Sequence, residues 1–314
     1  MKILFMGTPD FALFSLKSLV EYSKQSDIEI CGVITQPDKP KGRGYAMMPP
    51  PVKQYALEAG LDVYQPETLK DEAFFELLST LSPELIAVVA YGKILPKSVI
   101  DYPKYGCINV HGSLLPEYRG AAPMQRAIID GKEKTGITIM YMAEGLDTGD
   151  MLLSRELVIN ENDNFENIHD GLGMLGAEML VEIIPMLQSG AAIRVPQDDS
   201  LSSYAKKITK EDCLVDFSKD AQTVHNLIRG LSPVPLSFTH TPNGKLLKLI
   251  ESKIADRETP HERIGEVLSL DGKIEVACAK GSLYIERVLP EGKSRMSAAD
   301  FIRGRNISVG DILK

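Results

Sequence analysis

Over the first 190 positions, short apolar runs alternate with stretches whose apolar residues recur at helical spacing. Residues 2–6 read as a buried strand. Thr8-Pro9 then supplies an N-cap and a first-turn proline for a helix carrying Phe11, Phe14, Leu16 and Leu19. Residues 28–35 predict a second strand, 52–59 a helix closed by Gly60, 61–64 a third strand and 71–81 another helix. Residues 85–90 are apolar on both faces, as a central parallel strand covered by helices must be. Strands at 107–111, 136–142 and 151–159, with helices at 123–130 and 164–187, complete the alternation. This pattern predicts an α/β domain with a doubly wound, Rossmann-like parallel sheet. In such sheets ligands bind beyond the C-terminal ends of the strands, which singles out the segments after Met6, Ala90, Val110 and Met142.

After residue 190 the texture changes. Residues 196–200 and the run Lys206-Lys207-Ile208-Thr209-Lys210 read as an exposed linker. Beyond a helix at 221–231, short strands joined by turn signals at Asn243-Gly244, Asp271-Gly272 and Lys280-Gly281 predict a small β-barrel. A short helix at 297–303 and a last strand at 307–313 follow. The expected division is a catalytic domain over 1–190, a linker over 191–210 and a second domain over 211–314.

Composition narrows the function classes. At 44% hydrophobic and 25% charged, the 314-residue chain reads as soluble and globular. Its longest apolar stretch, 85–91, falls far short of the ~20 residues that cross a bilayer. The N-terminus turns polar at Thr8-Pro9-Asp10 without a cleavage site, so a cytoplasmic protein with no membrane association is expected. Cys31, Cys107, Cys213 and Cys278 never form a C-x2-C pair, and three of them lie in apolar, strand-like runs; buried free thiols are expected, with no metal. Residues 1–204 carry 17 basic and 28 acidic side chains, whereas 205–314 carry 18 and 15. An acidic body with a mildly basic appendage is compatible with a small molecule on the body and a polyanion on the appendage, although taken alone so small a positive excess reads first as an ordinary solvated surface. The turn after the first strand, Gly7-Thr8-Pro9-Asp10, is not G-x-G-x-x-G and no P-loop occurs, which speaks against NAD and ATP.

The richest chemistry lies in residues 107–123. Asn109 and His111 are two apart on one strand, so their side chains share a face near its C-terminal end. An Asn amide can donate to a developing oxyanion, and an imidazole can act as acid, base or charged donor near neutrality. Taken alone, the pair favours a structural reading, with the histidine satisfied inside the core. The loop Glu144-Gly145-Leu146-Asp147-Thr148-Gly149-Asp150 brings two carboxylates: Asp150 reads as a turn former, Asp147 as the partner that orients His111 and favours its protonated form. No Ser or Cys sits in a nucleophile elbow, so direct acyl transfer is favoured over a covalent acyl-enzyme.

Asn109, His111, Ser113-Leu114-Leu115-Pro116, Arg119-Gly120, Pro123 and Leu146-Asp147-Thr148-Gly149-Asp150 resemble the signature of formyltransferases that use 10-formyltetrahydrofolate. Further stretches resemble the methionyl-tRNA formyltransferases in particular: Gly7-Thr8-Pro9-Asp10-Phe11-Ala12, the loop 35–44, Val89-Ala90-Tyr91-Gly92, and Met296-Ser297-Ala298-Ala299-Asp300-Phe301. Together they span nearly the whole chain. The resemblance implies an OB-like C-terminal barrel, and transfer of formyl from 10-formyltetrahydrofolate to the methionine amino group of initiator methionyl-tRNA, for translation initiation. It implies catalytic roles for Asn109, His111 and Asp147. It further implies a folate slot formed by Val88, Ala90, Tyr91, Ser113, Leu114, Leu115, Pro116 and Asp147. Lys39, Lys41 and Arg43 on the loop 36–51, with Lys206, Lys207 and Lys210 on the linker, are the expected tRNA contacts, and a monomer is expected.

Two departures from the family pattern stand out. Tyr45-Ala46 follow Arg43-Gly44 where bacterial members carry basic residues, and Val234 stands between Pro233 and Pro235 where Trp is common. The alternatives are a sugar-nucleotide or glycinamide ribonucleotide formyltransferase, a formyltetrahydrofolate hydrolase, or a folate-binding module without transfer activity. The loop 36–44 and the basic second half speak against the first two, and the last two would leave the second domain and the basic linker without a task.

Overall fold

In the computed structural model, which describes residues 1–41 and 46–314, the chain begins with β1 (Lys2–Gly7), α1 (Asp10–Ser23) and β2 (Glu29–Ile34). A small ribbon of β3 (Lys39–Lys41) and β4 (Ala46–Met48) precedes α2 (Pro51–Glu58) and β5 (Val63–Tyr64). Then come α3 (Glu72–Leu81), β6 (Leu85–Val89), α4 (Lys97–Ile100), β7 (Cys107–His111), β8 (Arg119–Gly120) and α5 (Pro123–Ile129). The strands β9 (Lys134–Tyr141) and β10 (Met151–Val158) lead into the long α6 (Phe165–Ser189). After β11 (Tyr204–Ala205) and α7 (Ala221–Gly230), the chain forms β12 (Ser237–His240), β13 (Leu246–Pro260), β14 (Val267–Ser269), β15 (Ile274–Ala277), β16 (Lys280–Pro290), β17 (Met296–Ser297) and α8 (Ala298–Arg303).

Two compact units result. The first comprises Met1–Gly120, Thr135–Leu157 and His169–Tyr204, and the second Ala121–Lys134, Val158–Ile168 and Ala205–Lys314. The segment holding α5 and the turn before α6 therefore group with the C-terminal residues, although both lie inside the span 1–190 expected for the first domain.

The first unit is built on a sheet of order β10-β9-β7-β6-β1-β2-β5. Strands β5, β2, β1, β6 and β7 run parallel, and every residue of β6 is buried, because helices cover both faces of a parallel sheet. The C-terminal ends of β1, β2, β6 and β7 therefore share one edge. Strand β9 is antiparallel to β7, so the rule that selected the segment after Met142 does not apply to it: β9 ends at the opposite edge. Thr8 also departs from expectation. Pro9 is the N-cap of α1 without a side-chain hydrogen bond, and the Thr8 hydroxyl donates to the Tyr91 carbonyl at 3.0 Å instead.

The second unit is an antiparallel sheet of order β12-β13-β16-β15-β14, with β17 on β16. Its outer strands are joined by the chain's end: the Val267 amide donates to Asp311, Leu313 donates to Gly265, and His240 and Lys314 exchange both backbone bonds. The expected last strand, 307–313, is thus a short closing strap with one bridge, Glu266 to Ile312. Closure removes the open edges and encloses a core including Phe217, Leu247, Leu249, Val276, Leu283, Ile285 and Phe301. Gly281, at φ +78, makes the turn into β16, where a Cβ would lie 2.3 Å from the Asp256 carbonyl oxygen. Cys107, Cys213 and Cys278 are buried, and Cys31 is partly exposed. No helix among the described residues is long and apolar enough to cross a membrane.

Candidate active site

Strand β7 lies between β6 and β9, with Asn109 opposite Val88 and Met140, and His111 opposite Thr138. The two side chains share one face, as their spacing requires. His111 is buried, and its Nε2 lies 3.0 Å from the Tyr118 carbonyl oxygen. A carbonyl only accepts, so Nε2 carries the proton and donates, which leaves Nδ1 as the nitrogen that gains and releases a proton. Nδ1 faces Asp147 Oδ2 at 3.7 Å, beyond hydrogen-bond reach and within ion-pair range. The same carboxylate oxygen accepts from the Gly120 amide at 2.8 Å. Asn109 is partly exposed, and among the described residues its carboxamide takes part in no hydrogen bond.

The carboxylate arrives by a loop that doubles back from the far edge. Gly149 lets that loop lie against β9, since a Cβ there would fall 1.8 Å from the Tyr141 carbonyl oxygen. Asp147 itself is left-handed at φ +52, and Tyr118, whose carbonyl holds His111, at φ +59. Left-handed non-glycine residues are costly and cluster where the surroundings force them, commonly at functional sites.

The expected folate residues fall into two groups. Ala90 is exposed and left-handed at φ +45, whereas the Val88 side chain is buried and Tyr91 packs in the core with Leu95 and Val99. Burial pushes the Tyr91 hydroxyl up to about 12, and among the described residues it has no hydrogen-bond partner. The Tyr91 carbonyl accepts from Thr8 and, at 2.9 Å, from the Gln36 side chain. Ser113 is buried and donates to the Glu117 carbonyl at 2.7 Å; Leu115, preceding a cis Pro116, is buried, and Leu114 and Pro116 are partly exposed. Thr138 ties this turn to β9 by donating to the Ser113 carbonyl and accepting from the Leu115 amide.

Of the expected tRNA contacts, Lys39 is exposed and donates to Gln36 Oε1 at 2.6 Å, and Lys41 ends β3. Arg43 lies outside the described residues. The foot of this ribbon is pinned: Lys53 bonds both Asp38 oxygens at 2.9 Å, and Gln65 bonds Asp38 and the Gln36 carbonyl at 2.8 Å. Lys53 beside it and then Gln65 hold the Asp38 carboxyl below its ordinary value. Lys206, Lys207 and Lys210 are exposed, with no ion-pair partner among the described residues.

Sequence reading missed Gln197. It belongs to a segment that reads as linker, yet its amide bonds the Asp147 and Gly149 carbonyls and its oxygen bonds Arg119. Side-chain to backbone bonds of this kind leave no periodicity to detect. A second titratable cluster, His169 between Asp10 and Asp170, was also passed over; its imidazole lies 3.5 Å from Asp10 and 2.8 Å from Asp170.

The family model for formyl transferases matches residues 1–184, and that for the formyl transferase C-terminal domain residues 207–306. Methionyl-tRNA formyltransferase of Syntrophus aciditrophicus (strain SB) is 48% identical over 312 residues, covering 99% of this chain and 98% of the relative. The chain belongs to the methionyl-tRNA formyltransferase family. A second member, from Geotalea uraniireducens (strain Rf4), is 47% identical over 315 residues, covering 100% of this chain and 98% of its own. Among solved structures, the fold is shared with the sugar 3N-formyl transferase WlaRD at a TM-score of 0.66 and 17% identity, covering 94% of this chain and 99% of that one. It is also shared with HypX from Aquifex aeolicus in complex with tetrahydrofolic acid, at a TM-score of 0.65 and 18% identity, covering 96% of this chain and 47% of HypX. Asn109, His111 and Asp147 all fall inside the first family match.

Proposed function

We propose that this protein transfers the formyl group of 10-formyltetrahydrofolate to the amino group of methionine on initiator methionyl-tRNA. The observation that carries the reading is the uncommitted Asn109 carboxamide on the same strand face as His111, whose Nδ1 confronts Asp147. Such a site fits an acyl group: it offers one N–H donor for the acyl oxygen and one nitrogen-carboxylate pair for a proton. The folate supplies an activated formyl group. As the neutral methionyl amine attacks the formyl carbon, Asn109 donates to the oxygen on which charge develops, and protonated His111 adds a second, charged donor at Nδ1; the bond from that carbon to N10 of the folate then breaks, and N10 leaves with the proton the methionyl nitrogen gives up. Asp147, held by Gly120, keeps Nδ1 oriented and stabilises its proton while one amine loses a proton and the other gains one.

The proposal extends to the division of labour. Residues 1–190 carry the chemistry and bind folate along Val88, Ala90, Tyr91 and Ser113 to Pro116. The linker 191–210 and residues 211–314 hold tRNA, with phosphate contacts from Lys206, Lys207, Lys210, Lys39, Lys41 and Arg43. The exposure of the three linker lysines supports this assignment. A cytoplasmic monomer completes it, and light scattering in solution tests the monomer.

The deciding experiment supplies 10-formyltetrahydrofolate with charged initiator tRNA, charged elongator tRNA, amino-sugar nucleotides or water alone as acceptor. Formylmethionine on initiator tRNA is the expected product. Formyl appearing on the sugar, or released to water at the same rate without tRNA, would contradict the reading.

A further inference from the structure

We propose that Gln197 is a positioning residue for the catalytic carboxylate, an inference that rests on the formyl transfer proposed above. Its Nε2 donates to the Asp147 carbonyl at 2.9 Å and the Gly149 carbonyl at 2.7 Å, and its Oε1 accepts from Arg119 Nε at 3.0 Å and Nη2 at 2.8 Å. The orientation of this amide is settled by its partners. Guanidinium N–H groups only donate and backbone carbonyls only accept, so the oxygen must face Arg119 and the amino group must face the loop. Both amide hydrogens are spent on carbonyls two residues apart, which brackets the turn that holds Asp147 in its left-handed conformation.

Arg119 anchors the other end. It is buried, its Nη2 bonds Asp199 Oδ1 at 2.7 Å, and its backbone amide donates to the Ser203 carbonyl at 2.9 Å. Ser203 Oγ in turn accepts from the Tyr118 amide at 2.8 Å. The strap 197–203 therefore grips both segments that confront His111: residues 118–120, whose Tyr118 carbonyl fixes Nε2, and residues 147–149, which carry the carboxylate opposite Nδ1. A carboxylate on a strained turn keeps a working distance only when its backbone is held, and Gln197 is the side chain that holds it.

The test uses the full-length enzyme. Gln197→Glu keeps an acceptor for Arg119 but turns an oxygen toward two carbonyls, whereas Gln197→Met keeps the length and loses every bond without adding charge. Both should lower kcat about ten- to hundredfold with KM for both substrates within about twofold. In an Asp147→Asn background the loss should vanish, because the group being positioned is gone. Asp199→Asn, whose side chain is 81% exposed, should keep kcat within about twofold. Exchange of the Gly120 amide hydrogen, which depends on Asp147 staying in place, should quicken about tenfold or more in both Gln197 variants, a readout that needs no turnover. The proposal is overturned by a Gln197→Met enzyme with wild-type kcat, by unchanged Gly120 exchange, or by losses that multiply fully with Asp147→Asn. If Gln197→Glu does not fold, Gln197→Met decides; if wild type transfers no formyl group, the proposed function falls while the exchange measurement still decides this inference.

Discussion

His111 and His225 are both buried imidazoles, one in each compact unit, and their surroundings differ in a way that separates chemistry from architecture. His225 Nε2 donates to the Glu161 carbonyl at 3.1 Å, and its Nδ1 accepts from Ser252 Oγ at 2.9 Å, so both nitrogens are satisfied in the neutral ring. Beside it, buried Arg229 spends itself on Asn226 and on the carbonyls of Asn160 and Asp163. This network pins the 158–168 turn to α7. At His111 one nitrogen is tied to a carbonyl, the other faces a carboxylate across a gap, and the neighbouring amide is uncommitted. Burial does not distinguish the two histidines; the unfinished set of partners at His111, two of them on left-handed backbone, does.

The largest effects should fall on the open site. Asn109→Ala and His111→Ala are expected to retain folate binding and lose a hundredfold or more in turnover, since one donor to a developing oxyanion is worth ~2.7 to 4 kcal/mol. Melting temperatures near wild type would show that the loss is chemical. His225→Ala should invert this pattern. It removes two hydrogen bonds and leaves a cavity in the second unit, at a cost of about 2 to 4 kcal/mol in denaturant unfolding, with little change in kcat of the folded enzyme. Equal stability of that variant and wild type would erase the distinction drawn here.

A smaller effect follows from acid. Burial, above all, holds His225 below its ordinary value near 6.5, so the unfolded chain takes up a proton before the folded one does. The stability it contributes is complete above pH ~6.5 and is lost as pH falls toward the lowered folded value. Between pH 5 and 7, the difference in unfolding free energy between wild type and His225→Ala should shrink as pH falls, whatever slope other groups give both proteins. His169 has the opposite sign. Asp10 and then Asp170 raise its value, so its contribution is complete below ~6.5 and fades as pH rises through the raised value. Asp10, lowered chiefly by His169, contributes above its ordinary value and loses that as pH falls further. The pair is partly solvated, and His169→Ala should cost only about 0.2 to 1 kcal/mol, readable in the same titration.

Much of this was legible in the sequence, for reasons that differ by region. The strands β1, β2, β6 and β7 announce themselves because burial on both faces demands continuous apolar runs, and Asn109 and His111 declare a shared face by spacing alone. Strand direction leaves no such mark, so β9 passed for another parallel strand. The allocation of α5 and 158–168 to the second unit depends on partners distant in sequence, such as Glu161 with His225. The tail 307–313 has strand-like composition, yet only short pieces of it pair, because its task is to join two edges. Gln197 was invisible because a polar residue between Pro196 and Asp198 looks like any solvated linker, whatever its amide bonds.

The central claim is that the Asp147 carboxylate, facing Nδ1 of His111, is required for transfer. Asp147→Asn preserves shape and an acceptor for Gly120 while removing the charge. Single-turnover formylation with folate and methionyl-tRNA already bound is predicted to slow by about a hundredfold or more, with folate affinity unchanged. A rate near that of wild type would contradict the account.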